Sequence, residues 1–228
     1  MEIPIADKSK RPDIVMIYGN PGTGKTTSAC RYCKMKGYNP IVLDVNNTNH
    51  TSMPNLDIDF TKNHIVILKE LTRWIPIIAK SEYDTIVIED TGRLIDSKLT
   101  PAKANEKNKF AKWEVRATAM SKLIDCLVKS GLNIIFIGQS DMIIKDHENK
   151  DENETYSKPV VEINSIVNWA YYTYKPNELT FKWVCTKYRN KPGVLYEWTL
   201  LLLFYMGMMK ESSSKYHQIH KGVQVNGR

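Results

Sequence analysis

Cysteine and long apolar runs are both scarce in this sequence. Four of the 228 residues are cysteine, and Cys30 and Cys33 form the one closely spaced pair. No second Cys/His pair at metal-ligand spacing accompanies them, so we interpret them as small packing side chains in a reduced protein. The strongly apolar stretch at residues 200–209 is shorter than the roughly 18 residues that span a bilayer, which predicts a protein without membrane contact.

A secretory signal is also missing. Residues 1–12 are charged and contain no apolar segment of the kind that signal peptides need, so we expect a flexible lead-in and a cytoplasmic protein. Residues 200–228 combine the apolar stretch with a polar tail without periodicity, which we expect to be disordered. Residues 13–199 have the length and composition of a single globular domain with a sizeable core.

Acidic residues are outnumbered by basic ones. The 32 Lys and Arg exceed the 25 Asp and Glu, which gives a net charge of +7. Such an excess favours an acidic partner, with nucleic acid first among the candidates. It is weak evidence by itself, because many basic proteins bind no nucleic acid.

A glycine-rich turn follows the first apolar strand. The spacing Gly19-x4-Gly24-Lys25-Thr26 fits the phosphate-binding P-loop and lies between a predicted strand and a predicted helix. Glycine lets the backbone approach a ligand closely, and the N–H groups at the start of the helix attract anions. We predict that Lys25 contacts the β- and γ-phosphates of ATP and that the Thr26 hydroxyl binds Mg²⁺. The predicted nucleotide-binding residues are Gly19, Asn20, Pro21, Gly22, Thr23, Gly24, Lys25, Thr26 and Thr27.

Apolar strands alternate with helices up to residue 139. This alternation predicts an α/β fold with a mostly parallel sheet flanked by helices. Pro76 is expected to kink the second helix or divide it in two, and the segment before that helix reads as a short strand or turn. Residues 92–109 read as a long connection, and the third helix carries an apolar stripe. The predicted strands are 13–18, 40–44, 85–88 and 133–137, the helices are 25–36, 69–81 and 110–130, and the stripe comprises Trp113, Ala117, Met120, Leu123, Ile124 and Leu127.

The pattern changes after residue 139. Residues 145–158 form a polar excursion that is dense in Asp, Glu and Asn. Beyond it, short segments of β character occur at 160–163, 169–174, 179–186 and 194–199. We predict that they are antiparallel strands that extend the sheet.

Two adjacent acids follow the strand at 85–88. Hydrolysis at a P-loop needs a carboxylate at a strand end to hold Mg²⁺, and usually a group that orients or deprotonates the attacking water. Glu89 and Asp90 are the candidates, and only one of them is expected to face the metal, because successive side chains on a strand point to opposite faces. Position favours Glu89, whereas aspartate is the commoner residue at the metal. The sequence leaves this assignment open.

Polar residues also end two other strands. Gln139 follows the last predicted parallel strand and is a candidate sensor of the γ-phosphate, with an ordinary loop amide as the alternative. Asp44 ends the second strand and is a candidate for positioning water, although a role in capping a turn is favoured.

Basic residues concentrate in two places. Lys187 and Arg189 lie on a predicted turn just after a strand, where paired cations can reach the γ-phosphate of a neighbouring subunit, as an arginine finger does. They can equally contact nucleic-acid phosphate or form a plain solvated turn. The lysines between residues 98 and 112 can follow a phosphate backbone. Phe110 and Trp113 lie near these charges, but a helix-core role is favoured for both.

The order of these elements resembles that of RecA-type P-loop ATPases, in particular the small phage nucleotide-binding proteins of the Sak-like single-strand annealing family. The resemblance covers roughly residues 13–198 and is carried by Gly19–Thr27, residues 83–90 and residues 133–139. It implies ATP and Mg²⁺ binding, self-assembly, and single-stranded DNA binding during recombination, annealing or replication of a viral genome in a bacterial or archaeal host. Two departures are the Glu-Asp pair, where such proteins more often have a lone Asp before Ser, and the segment after Thr199, which matches no family pattern.

Three other functions are compatible with the same P-loop. A small nucleotide or nucleoside kinase usually carries an arginine-rich lid, and none is evident here. A motor ATPase that packages or unwinds DNA would share the nucleotide site. A nucleotide-binding module without hydrolysis would fit the unusual Glu-Asp order.

Overall fold

The computed structural model describes residues 11–48, 53–101, 111–144, 153–157, 163, 166–177, 180–188, 191–192 and 197–201. The helices in these segments are α1 (Lys25–Lys36), α2 (His64–Ile78), α3 (Thr91–Arg93) and α4 (Ala111–Ser130), and a π-helical turn (Leu94–Lys98) follows α3. The strands are β1 (Ile14–Gly19), β2 (Pro40–Asp44), β3 (Thr85–Glu89), β4 (Asn133–Ile144), β5 (Asn153–Ser157), β6 (Trp169–Asn177), β7 (Thr180–Tyr188), β8 (Lys191–Pro192) and β9 (Glu197–Leu201).

The described strands form one sheet with the order β2-β3-β4-β1-β6-β7-β8. Neighbouring strands from β2 to β6 are parallel, whereas β7 is antiparallel to β6 and pairs with β8 and β9 in the same sense. The predicted α/β fold is therefore confirmed. The predicted antiparallel extension is confirmed from the β6–β7 pair onward, and β6 pairs on its other side in parallel with β1, from Val15↔Trp169 to Gly19↔Thr173, which the sequence pattern did not indicate.

Strand β4 is longer than predicted. It continues past residue 137 to Ile144, because residues from Ser140 onward pair antiparallel with β5. Gln139 thus lies within a strand and is paired with Gly19 of β1. The polar excursion predicted at 145–158 contains β5, and residues 145–152 lie outside the described segments.

The core occupies both faces of the sheet. Residues 14–18 of β1 and 134–137 of β4 are all apolar, and alternate side chains enter opposite layers, as expected for strands covered on both sides. Met16 and Ile134 pack in the layer that contains α2 and α4. Val15 and Ile135 pack in the layer that contains α1.

Helix α2 begins earlier than predicted and is not divided. Asn63 caps it by accepting a hydrogen bond from the Val66 N–H at 3.0 Å, so the segment read as a strand or turn is helical. Pro76 lies inside this helix and has no N–H to offer to the carbonyl of Thr72. That carbonyl instead accepts a contact from the Cys126 thiol of α4 at 3.6 Å. The neighbouring helix therefore supplies the donor that the proline lacks.

The start of the connection after β3 is also more ordered than predicted. Residues 91–98 form α3 and the π-helical turn. The side chains of Leu94 and Ile95 in this turn, and of Leu99 directly after it, are buried. Apolar side chains at these positions make the segment part of the core. Residues 102–110, including Phe110 and three of the predicted lysines, are outside the described segments.

Helix α4 matches its predicted extent within one residue, and Gly131 with a φ of 75° follows its end. Met120, Leu123 and Leu127 are buried as predicted. The core role predicted for Trp113 was wrong, because 60% of this residue is exposed. The Arg116 guanidinium lies 5.8 Å from its ring centroid.

The cysteines are packed as small side chains. All four are free thiols, and Cys33 is buried on the inner side of α1. Burial raises the pKa of the Cys33 thiol to about 12, which keeps it protonated and unreactive near neutral pH. Of the helices in the described segments, none combines the length and apolar character that a bilayer crossing requires.

Candidate nucleotide-binding site

The predicted P-loop forms the turn between β1 and α1. Gly22 and Gly24 both have a φ of 75°, a left-handed conformation in which a residue with a side chain would be strained. Gly24 caps α1, and its carbonyl accepts hydrogen bonds from both the N–H and the hydroxyl of Ser28 at 2.8 Å. The free N–H groups of the first helical turn therefore open onto the end of β1.

Strand β6 holds the base of this loop. The Thr173 hydroxyl is 2.8 Å from the Thr23 hydroxyl and donates to the Tyr18 carbonyl at 3.2 Å. A Cβ at Gly19 would lie 2.2 Å from the Thr173 carbonyl, so only glycine fits there. The Thr23 hydroxyl also donates to the Asn20 carbonyl at 2.8 Å. The loop is thus fixed by contacts from outside its own segment.

The Lys25 side chain folds back over the loop. Its ammonium donates to the carbonyls of Gly19 at 3.1 Å and Asn20 at 2.8 Å. Burial lowers the pKa of Lys25, while the carboxylates of Asp90 and Glu89 act in the opposite direction. The cation is therefore held between the loop and two acids.

Thr26 and Glu89 meet across the start of α1. The Thr26 hydroxyl donates to Glu89 Oε1 at 2.5 Å. Glu89 is the last residue of β3, and the carboxyl end of that strand lies at the same edge of the sheet as the P-loop. A hydroxyl and a carboxylate are the hard oxygen donors that Mg²⁺ takes, with phosphate and water completing its shell. No group of three or more His, Cys, Asp or Glu that could hold a metal occurs in the described segments. The donor set therefore fits a metal held together with a nucleotide.

Asp90 makes different contacts. Its Oδ1 accepts from the N–H groups of Gly92 at 2.9 Å and Arg93 at 3.4 Å, which caps α3. Its Oδ2 accepts from the Gln139 amide at 3.1 Å. Asp90 thus joins the amide of β4 to the helical turns that follow β3.

Asp44 takes the turn-capping role. It is buried, with 4% of its surface exposed, and accepts from the Asn46 N–H at 3.1 Å and the Thr48 hydroxyl at 3.0 Å. Asn46 in turn accepts from the Arg93 guanidinium at 2.6 Å. These bonds bring the loop after β2 to the edge of the site.

A cavity of about 390 Å³ lies over the P-loop. It brings together Lys25, Glu89, Asp90 and Gln139, which come from α1, β3, the loop after β3 and β4. Its other lining residues are Gly22, Gly24, Thr26, Thr27, Asn46, Ile137, Gly138 and Phe181.

Four residues of this cavity were not predicted as site residues: Asn46, Ile137, Gly138 and Phe181. Asn46 lies two residues after the end of the parallel strand β2. This position could have predicted it as a site residue, because the carboxyl ends of parallel strands share one edge of the sheet. Phe181 comes from β7, more than 150 residues after the P-loop in the sequence, and no local pattern marks it.

The predicted basic turn is only partly within the described residues. Lys187 belongs to β7, where its backbone pairs with Ala170 and Pro192, so it lies in a strand and not on a turn. Arg189 is outside the described segments.

A parallel sheet with a P-loop at the end of β1 and an acid at the end of β3 is the arrangement of a P-loop nucleotide-binding fold, and the similar structures reported below show its RecA-like form. A family model described as an AAA domain, AAA_24, matches residues 11–174. The chain belongs to this AAA domain family. Comparison with curated proteins gives no match.

Solved structures with this fold include three that cover most of the chain. The RadB recombinase has a TM-score of 0.50 at 13% identity, over 81% of this chain and 86% of its own. The ATPase domain of G40P has a TM-score of 0.53 at 12% identity, over 85% and 82%. The KaiC-like protein PH0186 from Pyrococcus horikoshii OT3 has a TM-score of 0.53 at 13% identity, over 82% and 84%. At these identities the similarity is one of fold.

Proposed function

We propose that this protein is a Mg²⁺-dependent ATPase that acts on single-stranded DNA in phage recombination, annealing or replication, with residues 13–199 as its ATPase domain. The observation that carries the ATPase assignment is the 2.5 Å hydrogen bond from the Thr26 hydroxyl to Glu89. It joins the P-loop to an acid at the end of β3, two strands away from β1, and the two groups are the pair of oxygens that a nucleotide-bound metal needs.

In this proposal the P-loop binds the phosphates. The N–H groups at the start of α1 hydrogen-bond the phosphate oxygens, and Lys25 exchanges the carbonyls of Gly19 and Asn20 for the β- and γ-phosphates. Burial lowers the pKa of Lys25, and a bound phosphate would favour its charged form.

Thr26 and Glu89 are the proposed metal-side residues. Mg²⁺ bound there would neutralise negative charge on the β- and γ-phosphates. Glu89 is preferred over Asp90 for this role because it already accepts from the Thr26 hydroxyl, whereas Asp90 is engaged with α3 and Gln139.

Asp90 and Gln139 are proposed to report the state of the site. Gln139 donates to Asp90 and lines the same cavity as Lys25, so a γ-phosphate would compete for its amide. Loss of the hydrogen bond between Gln139 and Asp90 would free the Asp90 carboxylate to move, and α3 would move with it because the same carboxylate caps that helix. Nucleotide state would thereby reach the segment that carries the predicted DNA-contacting lysines.

The DNA role rests on charge and on fold relatives. The chain carries a net charge of +7, and similar folds occur in a recombinase and in the ATPase domain of G40P. We further propose that the protein forms homo-oligomers in which Lys187 or Arg189 completes the site of a neighbouring copy.

The test is ATP turnover by the purified full chain with and without single-stranded DNA, in Mg²⁺ and in EDTA, at two salt concentrations. We expect turnover that requires Mg²⁺ and rises with DNA, and DNA binding that weakens as salt increases. Lys25→Ala should bind ATP much more weakly, and Arg31→Ala, on an exposed part of the same helix, is the matched control.

The outcomes separate the proposal from its rivals. Phosphoryl transfer to a nucleoside or nucleotide without response to DNA would indicate a kinase. Normal ATP affinity in the Lys25→Ala protein would remove the premise that the P-loop binds the nucleotide.

A further inference from the structure

Phe181 lies directly against the P-loop. A Cβ placed on Gly24 would meet Phe181 Cδ1 at 3.1 Å, so the ring covers the glycine that begins α1. The same ring lines the cavity that contains Lys25 and Thr27. The Phe181 ring therefore borders the space in which a nucleotide would lie.

The strand order gives the cavity a direction. Glu89 and Gln139 come from β3 and β4, which lie on one side of β1. Phe181 comes from β7, two strands away on the other side. The acids and the amide mark the end where the γ-phosphate is proposed to sit, so the nucleoside of the same molecule extends towards Phe181.

Two contacts define the position of the Phe181 ring. Phe181 alternates along β7 with Trp183 and Cys185 and so lies on the same face of the strand as these two buried residues, which are 4% and 2% exposed. The Lys175 ammonium lies 5.5 Å from the centroid of the Phe181 ring, a distance at which a cation attracts an aromatic face. This contact and the packing against Gly24 hold the ring beside the P-loop.

We propose that Phe181 is the residue on which the nucleobase stacks, and that it positions the nucleoside while the P-loop holds the phosphates. This inference rests on the proposed nucleotide-binding function. Stacking on an aromatic face tolerates any base, because every base has a π-face. ATP and GTP should therefore bind with similar affinity as far as this contact is concerned.

The test compares a nucleotide with a probe that has no base. ATP and inorganic tripolyphosphate are titrated by calorimetry into the full-length wild type, Phe181→Ala and Phe181→Tyr in the presence of Mg²⁺. We expect Phe181→Ala to weaken ATP binding by roughly 5- to 100-fold, the range of base stacking, and to leave tripolyphosphate binding unchanged. Phe181→Tyr should retain ATP affinity.

A spectroscopic readout and a matched control complete the experiment. The fluorescence of etheno-ATP, which stacking quenches, should be reduced on binding to the wild type and recovered in Phe181→Ala. Tyr174→Leu removes an aromatic ring from the other face of the β6–β7 pair, where it stacks on Tyr172 at 5.9 Å, and should leave both affinities unchanged.

Each other outcome overturns the inference. Equal loss of ATP and tripolyphosphate affinity in Phe181→Ala would mean that the ring supports only the shape of the P-loop. Unchanged affinity for both would mean that the base lies elsewhere. A wild type that binds neither ligand would overturn the proposed function as well, which distinguishes that failure from a failure of stacking alone.

Discussion

Glu89 and Asp90 are adjacent in the chain, yet their side chains contact different elements. Glu89 accepts from Thr26 of α1, and Asp90 accepts from Gln139 of β4 and from the backbone of α3. The sequence predicted both acids as site residues but not which element each one contacts. Those contacts depend on strands that are far apart in the chain and pair in the fold. The P-loop residues, in contrast, were predicted from their local spacing, and Gln139 from its position directly after an apolar run, although the strand continues beyond it.

Substitutions of the two acids should have different effects. Glu89→Gln removes the proposed metal-side charge and should lower Mg²⁺-dependent ATP turnover by about 100-fold or more, since such a metal contributes several kcal/mol to the transition state. Asp90→Ala should retain Mg²⁺-ATP affinity but lose the dependence of DNA binding on nucleotide. Turnover and DNA-binding titrations with and without ATP measure both. The assignment is reversed if Asp90→Ala loses metal dependence and Glu89→Gln does not.

At the scale of elements, strands outside the P-loop segment determine its shape. Thr173 of β6 contacts Gly19, Thr23 and the Tyr18 carbonyl, although about 150 residues separate them in sequence. This contact depends on the parallel pairing of β6 with β1, which local patterns did not reveal. A short strand among antiparallel neighbours carries no signal of its direction, since strand propensity is the same for both.

Helix α2 shows the same limit of local reading. A proline within a helical pattern predicts a break, because it removes one hydrogen bond. Here the thiol of Cys126 on α4 donates to the Thr72 carbonyl, which Pro76 leaves without an N–H partner, and the helix continues to Ile78. The compensating donor belongs to another helix and is invisible in the local sequence.

The β6 contact can be tested by an isosteric substitution. Thr173→Val removes the hydroxyl that bonds Thr23 and the Tyr18 carbonyl, and should lower the free energy of unfolding by about 1–3 kcal/mol and weaken ATP binding. Thr186→Val is the control, because Thr186 bonds the Tyr18 hydroxyl and not the loop. It should lower stability without changing ATP affinity. Urea unfolding and calorimetric titration give the two quantities, and equal ATP affinities for both variants would contradict the role of Thr173.

At the scale of the whole molecule, the sheet brings its acids and its P-loop to one edge, as the α/β prediction required. The proposed contribution of a second copy concerns Lys187 and Arg189. A subunit-mixing experiment addresses this directly.

Mixing two inactive variants should restore activity. Lys25→Ala and the double variant Lys187→Ala/Arg189→Ala are each expected to lack DNA-stimulated turnover. In an equimolar mixture, about one quarter of the contacts between randomly assembled copies would combine an intact P-loop with intact cations. Turnover of the mixture should rise accordingly with protein concentration. Activity of the double variant alone equal to the wild type would contradict a role in trans.

Strand β4 pairs with β1 before, and with β5 after, the peptide bond between Gln139 and Ser140. Up to Gln139 it pairs with β1 in parallel, and from Ser140 it pairs antiparallel with β5. Among the described residues, β5 is joined to the nucleotide site through the continuous backbone of β4. A displacement of Gln139 on nucleotide binding would therefore be transmitted to the β4–β5 pair along one strand.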